Sequence, residues 1–155
     1  MCIRDSGNAA RKVALQRVRK LAESIALDGG TVAEDPSFKR RLEEAEVQLE
    51  AIQYTEFRLM ASLSKGQNPG PESSVMKALA AKVQQQISEL AVIATGHYAG
   101  VHQPEARAVG SNVPMVGPEP GAMAFTNYFN FRATSIAGGS DEVQRNIMAK
   151  LVLGL

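Results

Sequence analysis

Apolar residues recur at helical spacing in three long stretches. In the first, from about Ala9 to Leu27, Leu15, Val18, Leu21, Ala22 and Ile25 share one face. Asp28-Gly29-Gly30 ends it, because glycine takes the left-handed conformation that closes a helix. The second opens at Asp35-Pro36, an acid to cap free N–H groups followed by a proline suited to the first turn. Phe38, Leu42, Ala45, Leu49, Ile52, Leu59 and Leu63 then alternate at spacings of four and three, a pattern that favours antiparallel bundle packing. Gly66 to Gly70 signals a turn. The third stretch runs from near Pro71 to near Gly96, with Val75, Leu79, Val83, Ile87, Leu90 and Ala94 on its face.

The pattern then fails. His97 to Gly121 is rich in proline and glycine and too long for a simple inter-helix connection. Two further helical stretches follow. Ala122 to Ile136 carries Phe125, Tyr128, Phe129 and Ile136 on one side. After the break at Gly138-Gly139, Ser140 can cap a last helix from Asp141 to about Leu153, with Val143, Ile147 and Leu151 expected inward. No strand pattern competes. The expected fold is all-α: an up-and-down antiparallel four-helix bundle of three long helices and a broken fourth.

Composition narrows the function. The 155 residues make one domain's worth of chain, with 45% apolar and 21% charged residues. A net charge of +1 gives no global attraction for nucleic acid or anionic lipid. No run approaches the roughly 18 apolar residues of a membrane helix. Cys2 is the only cysteine, so no internal disulfide can form. A cytoplasmic setting is expected, with no signal peptide in the polar stretch Met1 to Gly7. His97 and His102 are the only histidines, which argues against a structural zinc site and against His-based hydrolase triads. Met1 to Ser6 (MCIRDS) leads poorly into the helix behind it, so residues 1–7 are expected to be a disordered or artefactual start and residues 8–155 the domain.

Four features have candidate chemistry. Free N–H groups after Gly138-Gly139-Ser140 could hold a ligand, although Asp141 and Glu142 in the same turn would repel a bare phosphate and suit hydroxyl or N–H groups better. The ordinary reading is a capped helix after a glycine kink. Arg11, Lys12, Arg17, Arg19 and Lys20 could track phosphates, but a solvated helix face explains them without interleaved aromatics. Glu56 interrupts an apolar stripe, as a buried general base or as an edge residue near Arg58. Tyr128, Phe129 and Phe131 could wall a pocket or simply fill a core.

The run Ser135-Ile136-Ala137-Gly138-Gly139-Ser140-Asp141-Glu142-Val143-Gln144-Arg145-Asn146-Ile147-Met148-Ala149-Lys150, ending Leu153-Gly154-Leu155, resembles the closing signature of acyl-CoA dehydrogenases. Asp35 to Leu42 and Gly66 to Lys77 are similar to a bacterial branch of that family. The resemblance implies the C-terminal helical domain of an FAD-dependent enzyme that desaturates an acyl-CoA thioester at its α,β bond. It implies Ser140, Asp141 and Glu142 as FAD contacts, and Gly138 and Gly139 beside the acyl-CoA thioester. It further implies an electron-accepting flavoprotein partner and assembly as homodimer, tetramer or heteromer.

Three departures accompany it. Gly138 stands where many members carry the catalytic Glu, and the other family base position falls ahead of Gly7, so no catalytic residue is assigned. Asp28 to Arg41 replaces the Arg-x-x-Phe-Gly stretch that reaches a neighbouring subunit's FAD. The family's N-terminal helical and middle β domains have no counterpart in these residues. A second expectation follows from Gly138: a non-catalytic helical bundle serving as a partner or oligomerisation subunit.

Overall fold

The structure is a computed structural model that describes residues 7–68 and 70–155. The expectation for Met1 to Ser6 lies outside the described residues. Three long helices form the frame: α1 (Gly7–Ser24), α2 (Pro36–Ser64) and α3 (Glu72–Thr95). Two short ones follow, α4 (Ala124–Arg132) and α5 (Asp141–Met148). Among the described residues the chain is all-α apart from one small hairpin.

That hairpin corrects the sequence reading. α1 ends at Ser24, and β1 (Ala26–Leu27) pairs antiparallel with β2 (Gly30–Thr31). Asp28-Gly29 makes the two-residue turn, with Gly29 at φ 85°. Asp-Gly is a favoured pair for such turns because it tolerates positive φ. The same residues that read as a helix stop therefore fold the chain back, and Ile25 O accepts from Val32 N at 3.0 Å. Ile25 still packs against the core.

Asp35 caps α2 as its sequence suggests, its carboxylate accepting from Phe38 N at 2.8 Å. The α2 stripe is buried from Phe38 to Ile52 and again at Leu59. It meets Leu15, Val18, Leu21 and Ala22 of α1 and Val83, Ile87, Leu90 and Ala94 of α3 in one core. Leu49, Val83 and Leu90 are almost wholly enclosed, and each such leucine contributes about 2 kcal/mol through burial. α1 and α2 run in opposite directions: Lys12 reaches Gln53 near one end, and Arg19 pairs with Glu46 at 2.8 Å further along.

The N-terminal half of the α3 stripe departs from expectation. Leu79 is exposed and Val75 only half-buried, whereas Ser74, Ala81, Ser88 and Thr95 are buried. α3 serves two faces. One is apolar and packs on α1 and α2; the other is small and polar and receives α4 and α5. The second face has no hydrophobic periodicity to read.

The last helix also differs. α5 gives way to a π-helical turn at Ala149–Leu153, closed by Gly154 at φ 70°. Val143, Ile147 and Leu151 are not inward: they are 48%, 38% and 65% exposed. The residue that α5 buries is Gln144. Phe125, Phe129 and Ile136 are likewise exposed rather than core. The long segment after α3 holds two 3₁₀ turns, Gly96–Gly100 and Glu119–Gly121. Between them Gln103 clasps Val116, its amide donating to Val116 O at 3.1 Å and accepting from Val116 N at 2.8 Å.

Candidate functional site

The glycine corner between α4 and α5 is built from α3 outward. α4 passes through a 3₁₀ turn at Ala133–Ser135 and then reverses at Gly138 and Gly139, with φ 73° and 97°. Only glycine takes such values without strain. A Cβ at Gly138 would meet nothing within 4 Å, so its backbone faces open space. A Cβ at Gly139 would fall 2.7 Å from Gln144 Nε2. The buried Gln144 side chain reaches back to donate to Gly138 O at 3.2 Å and so braces the corner from inside.

Ser140 caps α5, its Oγ accepting from Val143 N at 3.4 Å. As an acceptor there, the hydroxyl keeps its own proton to donate. Asp141 turns inward: Lys77 Nζ of α3 lies 3.2 Å from Asp141 Oδ1 and donates to Ser135 O at 3.2 Å. Glu142 projects into solvent. Its own backbone N–H, then the Ser140 hydroxyl, hold its carboxyl below the usual carboxylate range. The three residues that the motif groups together therefore divide into a cap, an acid anchored to α3 and a solvent-exposed acid.

Arg132 ties the preceding helix to α3. Its guanidinium donates to Tyr128 O at 3.2 Å and Gln85 O at 3.0 Å, and lies 3.3 Å from Ser88 Oγ. Its Cζ also sits 4.4 Å from the Tyr128 ring centroid, a cation–π contact. Gln85 Nε2 in turn donates to Phe131 O and Arg132 O at 3.3 Å each. Lys77, Gln85, Ser88 and Gln144 are the site's supports, and sequence reasoning passed over them. Gln85 and Ser88 lie three apart on one α3 face and Lys77 two turns before, a polar stripe that could have been noticed.

Phe125 and Phe129 are exposed on α4, edge-to-face at 4.8 Å, beside the half-buried Tyr128. Glu56 is half-buried and faces Arg11 of α1. Burial lowers the Arg11 pKa, and the Glu56 charge partly opposes that shift. No salt bridge joins the two, and the buried Arg11 Nε has no hydrogen-bond partner among the described residues. The basic face of α1 is partly answered by α2 through the Arg19–Glu46 pair and the Lys12–Gln53 bond. His97 and His102 are exposed loop residues. Among the described residues no group of three or more His, Cys, Asp or Glu could hold a metal, and no helix is long and apolar enough to cross a membrane. A concavity of about 190 Å³ beside the α2–α3 turn is lined by Arg58, Gln67, Asn68 and Glu72 among others, and none of the corner residues borders it.

The family model described as acyl-CoA dehydrogenase, C-terminal domain, matches residues 2–153. The chain belongs to that family. Solved structures of similar fold include an FAD complex of PigA, at 18% identity and TM-score 0.73, covering 96% of this chain and 34% of that one. The ChsE4–ChsE5 complex from Mycobacterium tuberculosis is similar at 21% identity and TM-score 0.73, with 96% and 36% covered. Butyryl-CoA dehydrogenase from Megasphaera elsdenii is similar at 17% identity and TM-score 0.69, with 95% and 34% covered. At these identities the likeness is one of fold. The chain spans about a third of the length of these proteins. No curated protein matches the sequence.

Proposed function

We propose that this acyl-CoA dehydrogenase C-terminal domain forms the flavin-side wall of an FAD-dependent enzyme that desaturates an acyl-CoA thioester between its α and β carbons. The observation that carries this reading is the open glycine corner, with Gly138 bare to solvent beside the Ser140 hydroxyl and the exposed Glu142 carboxylate. The donor set fits a flavin nucleotide. Ser140 offers a hydroxyl, Glu142 offers an anionic acceptor for hydroxyl or N–H groups, and the glycine backbone allows close approach. Asp141 has one oxygen engaged by Lys77, so its other oxygen is what it offers a ligand.

When bound, FAD supplies the hydride acceptor for the β carbon. The residues of this chain hold and orient. Ser140 and Glu142 bind; Gly138 and Gly139 leave room for the thioester; Lys77, Gln144 and Arg132 keep the corner in place. Glu142 is poorly suited to removing the α proton, since a carboxyl held below its usual range is a weaker base. Gly138 has no side chain to do so. In this reading the base comes from elsewhere in a longer protein, as do much of the acyl pocket and the contact with an electron-accepting flavoprotein. Further dehydrogenase subunits, alike or related, complete the assembly, and a cytoplasmic setting suits the chemistry.

The test is spectroscopic. A protein extended with its native upstream sequence should carry yellow flavin that an acyl-CoA bleaches. In that protein Ser140→Ala and Glu142→Gln should each weaken FAD retention about tenfold, the worth of one charge-assisted or paired hydrogen bond. A protein that persistently lacks flavin sinks the reading. Gly138 at a family base position favours a second reading, a non-catalytic partner subunit. A Glu within two helical turns upstream of Gly7 argues for catalysis. Its absence, beside a gene for a related dehydrogenase, argues for the partner.

A further inference from the structure

Asp28 and Gly29 form the turn of the β1–β2 hairpin, and the hairpin stands in solvent. Ala26, Leu27, Asp28, Gly29 and Gly30 are all exposed. Two residue pairs hold it, Ala26 with Thr31 and Leu27 with Gly30. Two-stranded pairing this short is marginal by itself and opens locally at little cost. Among the described residues the Gly29 N–H donates to no acceptor, and the Asp28 carboxylate joins no hydrogen bond or salt bridge. Glu34 folds over the hairpin, but its carboxylate accepts from Thr31 N at 2.9 Å and leaves the Gly29 N–H free. Gly29 has no side chain, and even a Cβ there would meet nothing within 4 Å. The approach of the Gly29 nitrogen to the Asp28 carboxyl is unobstructed.

The other aspartates of the described residues lack this setting. Asp35 precedes Pro36, which has no N–H, and its carboxylate caps Phe38 N. Asp141 opens α5, precedes Glu142 rather than a glycine, and is held by Lys77 at 3.2 Å. No asparagine in the chain precedes a glycine. Asp28 therefore stands apart in both its neighbour and its freedom.

We propose that Asp28 is a site of backbone modification, at which the folded chain converts aspartate to isoaspartate and so becomes a substrate for S-adenosylmethionine-dependent carboxyl methylation. The Gly29 nitrogen gives up its proton and adds to the Asp28 side-chain carboxyl carbon. An N–C bond forms, a C–O bond breaks, and water leaves, closing a five-membered imide. Water then adds back to one of the two imide carbonyls. Breaking the bond to the side-chain carbonyl restores aspartate. Breaking the bond to the main-chain carbonyl leaves the chain linked through the side chain and the old main-chain carboxyl free. That carboxyl is the methyl acceptor. The new link adds one carbon between Leu27 and Gly30, so this pair loses its register. The core takes no residue from 26–30 and stays as it is. The proposal goes beyond the dehydrogenase reading, and flavin and acyl-CoA binding do not enter it.

Timed incubation of the full chain at neutral pH tests it, with a second sample held unfolded in guanidinium chloride. Isoaspartate is read by transfer of labelled methyl from S-adenosylmethionine, using a carboxyl methyltransferase specific for isoaspartate. Electron-transfer fragmentation of the peptides places it. Circular dichroism verifies that each variant keeps the parent's helicity. In the folded parent, label should build up at Asp28 and stay at background at Asp35 and Asp141. Because a hairpin tip opens at little cost, the folded rate should lie within about tenfold of the unfolded one. Asp28→Glu should lose the label, since its longer side chain would have to close a six-membered ring. Gly29→Ala should lose most of it, because a methyl group then crowds the attacking nitrogen. Asp28→Asn reaches the same imide by losing ammonia in place of water and should gain label faster than the parent. A folded parent slower than the tenfold limit overturns the proposal, because the hairpin then shields the site. So does label spread evenly over the three aspartates, or a folded Asp28→Asn that gains none.

Discussion

Lys77 of α3 lies 3.2 Å from Asp141, the first residue of α5, and the same ammonium group forms no other salt bridge among the described residues. With side chains 21% and 29% exposed, the pair is sheltered enough to hold a geometry. It joins two residues distant in sequence, and through Ser135 O it also fixes the entry to the glycine corner. Lys77→Met should therefore destabilise the chain by about 1–2 kcal/mol, the worth of a sheltered charge-assisted bond. Urea unfolding measures the loss. Hydrogen exchange should show that protection falls first between Ser135 and Gln144, and a uniform fall over α1 and α2 would contradict this anchoring role.

Gly138 and Gly139 have similar φ values but different surroundings, so substitutions should separate them. Gly138→Ala meets only backbone strain, about 1 kcal/mol. Gly139→Ala must also push Gln144 aside and lose its bond to Gly138 O, and should cost about 2 kcal/mol or more. Because the two groups share one space, Gly139→Ala combined with Gln144→Ala should cost less than the separate losses added. A double-mutant cycle by thermal unfolding checks it.

Arg132 uses a planar fork that lysine lacks. Arg132→Lys should cost about 1–2 kcal/mol through the lost bonds to Gln85 O and Ser88 Oγ and the weaker stacking on Tyr128. An unchanged midpoint on denaturation would show that the positive charge alone suffices.

Glu142 has its folded pKa below the ordinary value, chiefly through its own backbone N–H and then Ser140. Such a group stabilises the fold above its unfolded pKa, about 4.3, and that contribution is lost as pH falls through the lower folded value. The acid limb of the stability curve should therefore flatten in Glu142→Gln, with little change near neutrality beyond the lost anion at the α5 N-terminus. NMR titration of the carboxyl gives the direct check, and a midpoint at or above the ordinary value would refute it.

Asp35 caps the longest helix. Asp35→Ala should lower stability by about 1 kcal/mol, while Asp35→Asn should lose only a few tenths because the amide oxygen still accepts from Phe38 N. Thermal unfolding of the two variants side by side distinguishes the cap bond from the charge.

The sequence by itself determined the all-α class, the three long helices, the cap at Asp35 and the cap at Ser140. Each rests on local rules: a helical period, a capping side chain, a glycine needing positive φ. It also carried the family, through the closing run from Ser135 to Leu155. Only the tertiary structure decided which apolar residues are core. Val143, Ile147 and Leu151 keep helical spacing yet are exposed: α5 is tied to α3 by the Lys77–Asp141 pair and buries Gln144 instead of an apolar side chain. Leu79 likewise keeps the spacing of the α3 stripe yet is exposed. The polar stripe of Lys77, Gln85 and Ser88 stands in the sequence, but the partners it meets do not. A hydrogen bond between Arg132 and Gln85, or an ion pair between Lys77 and Asp141, depends on two helices meeting, and periodicity within one helix says nothing about what its polar face will meet.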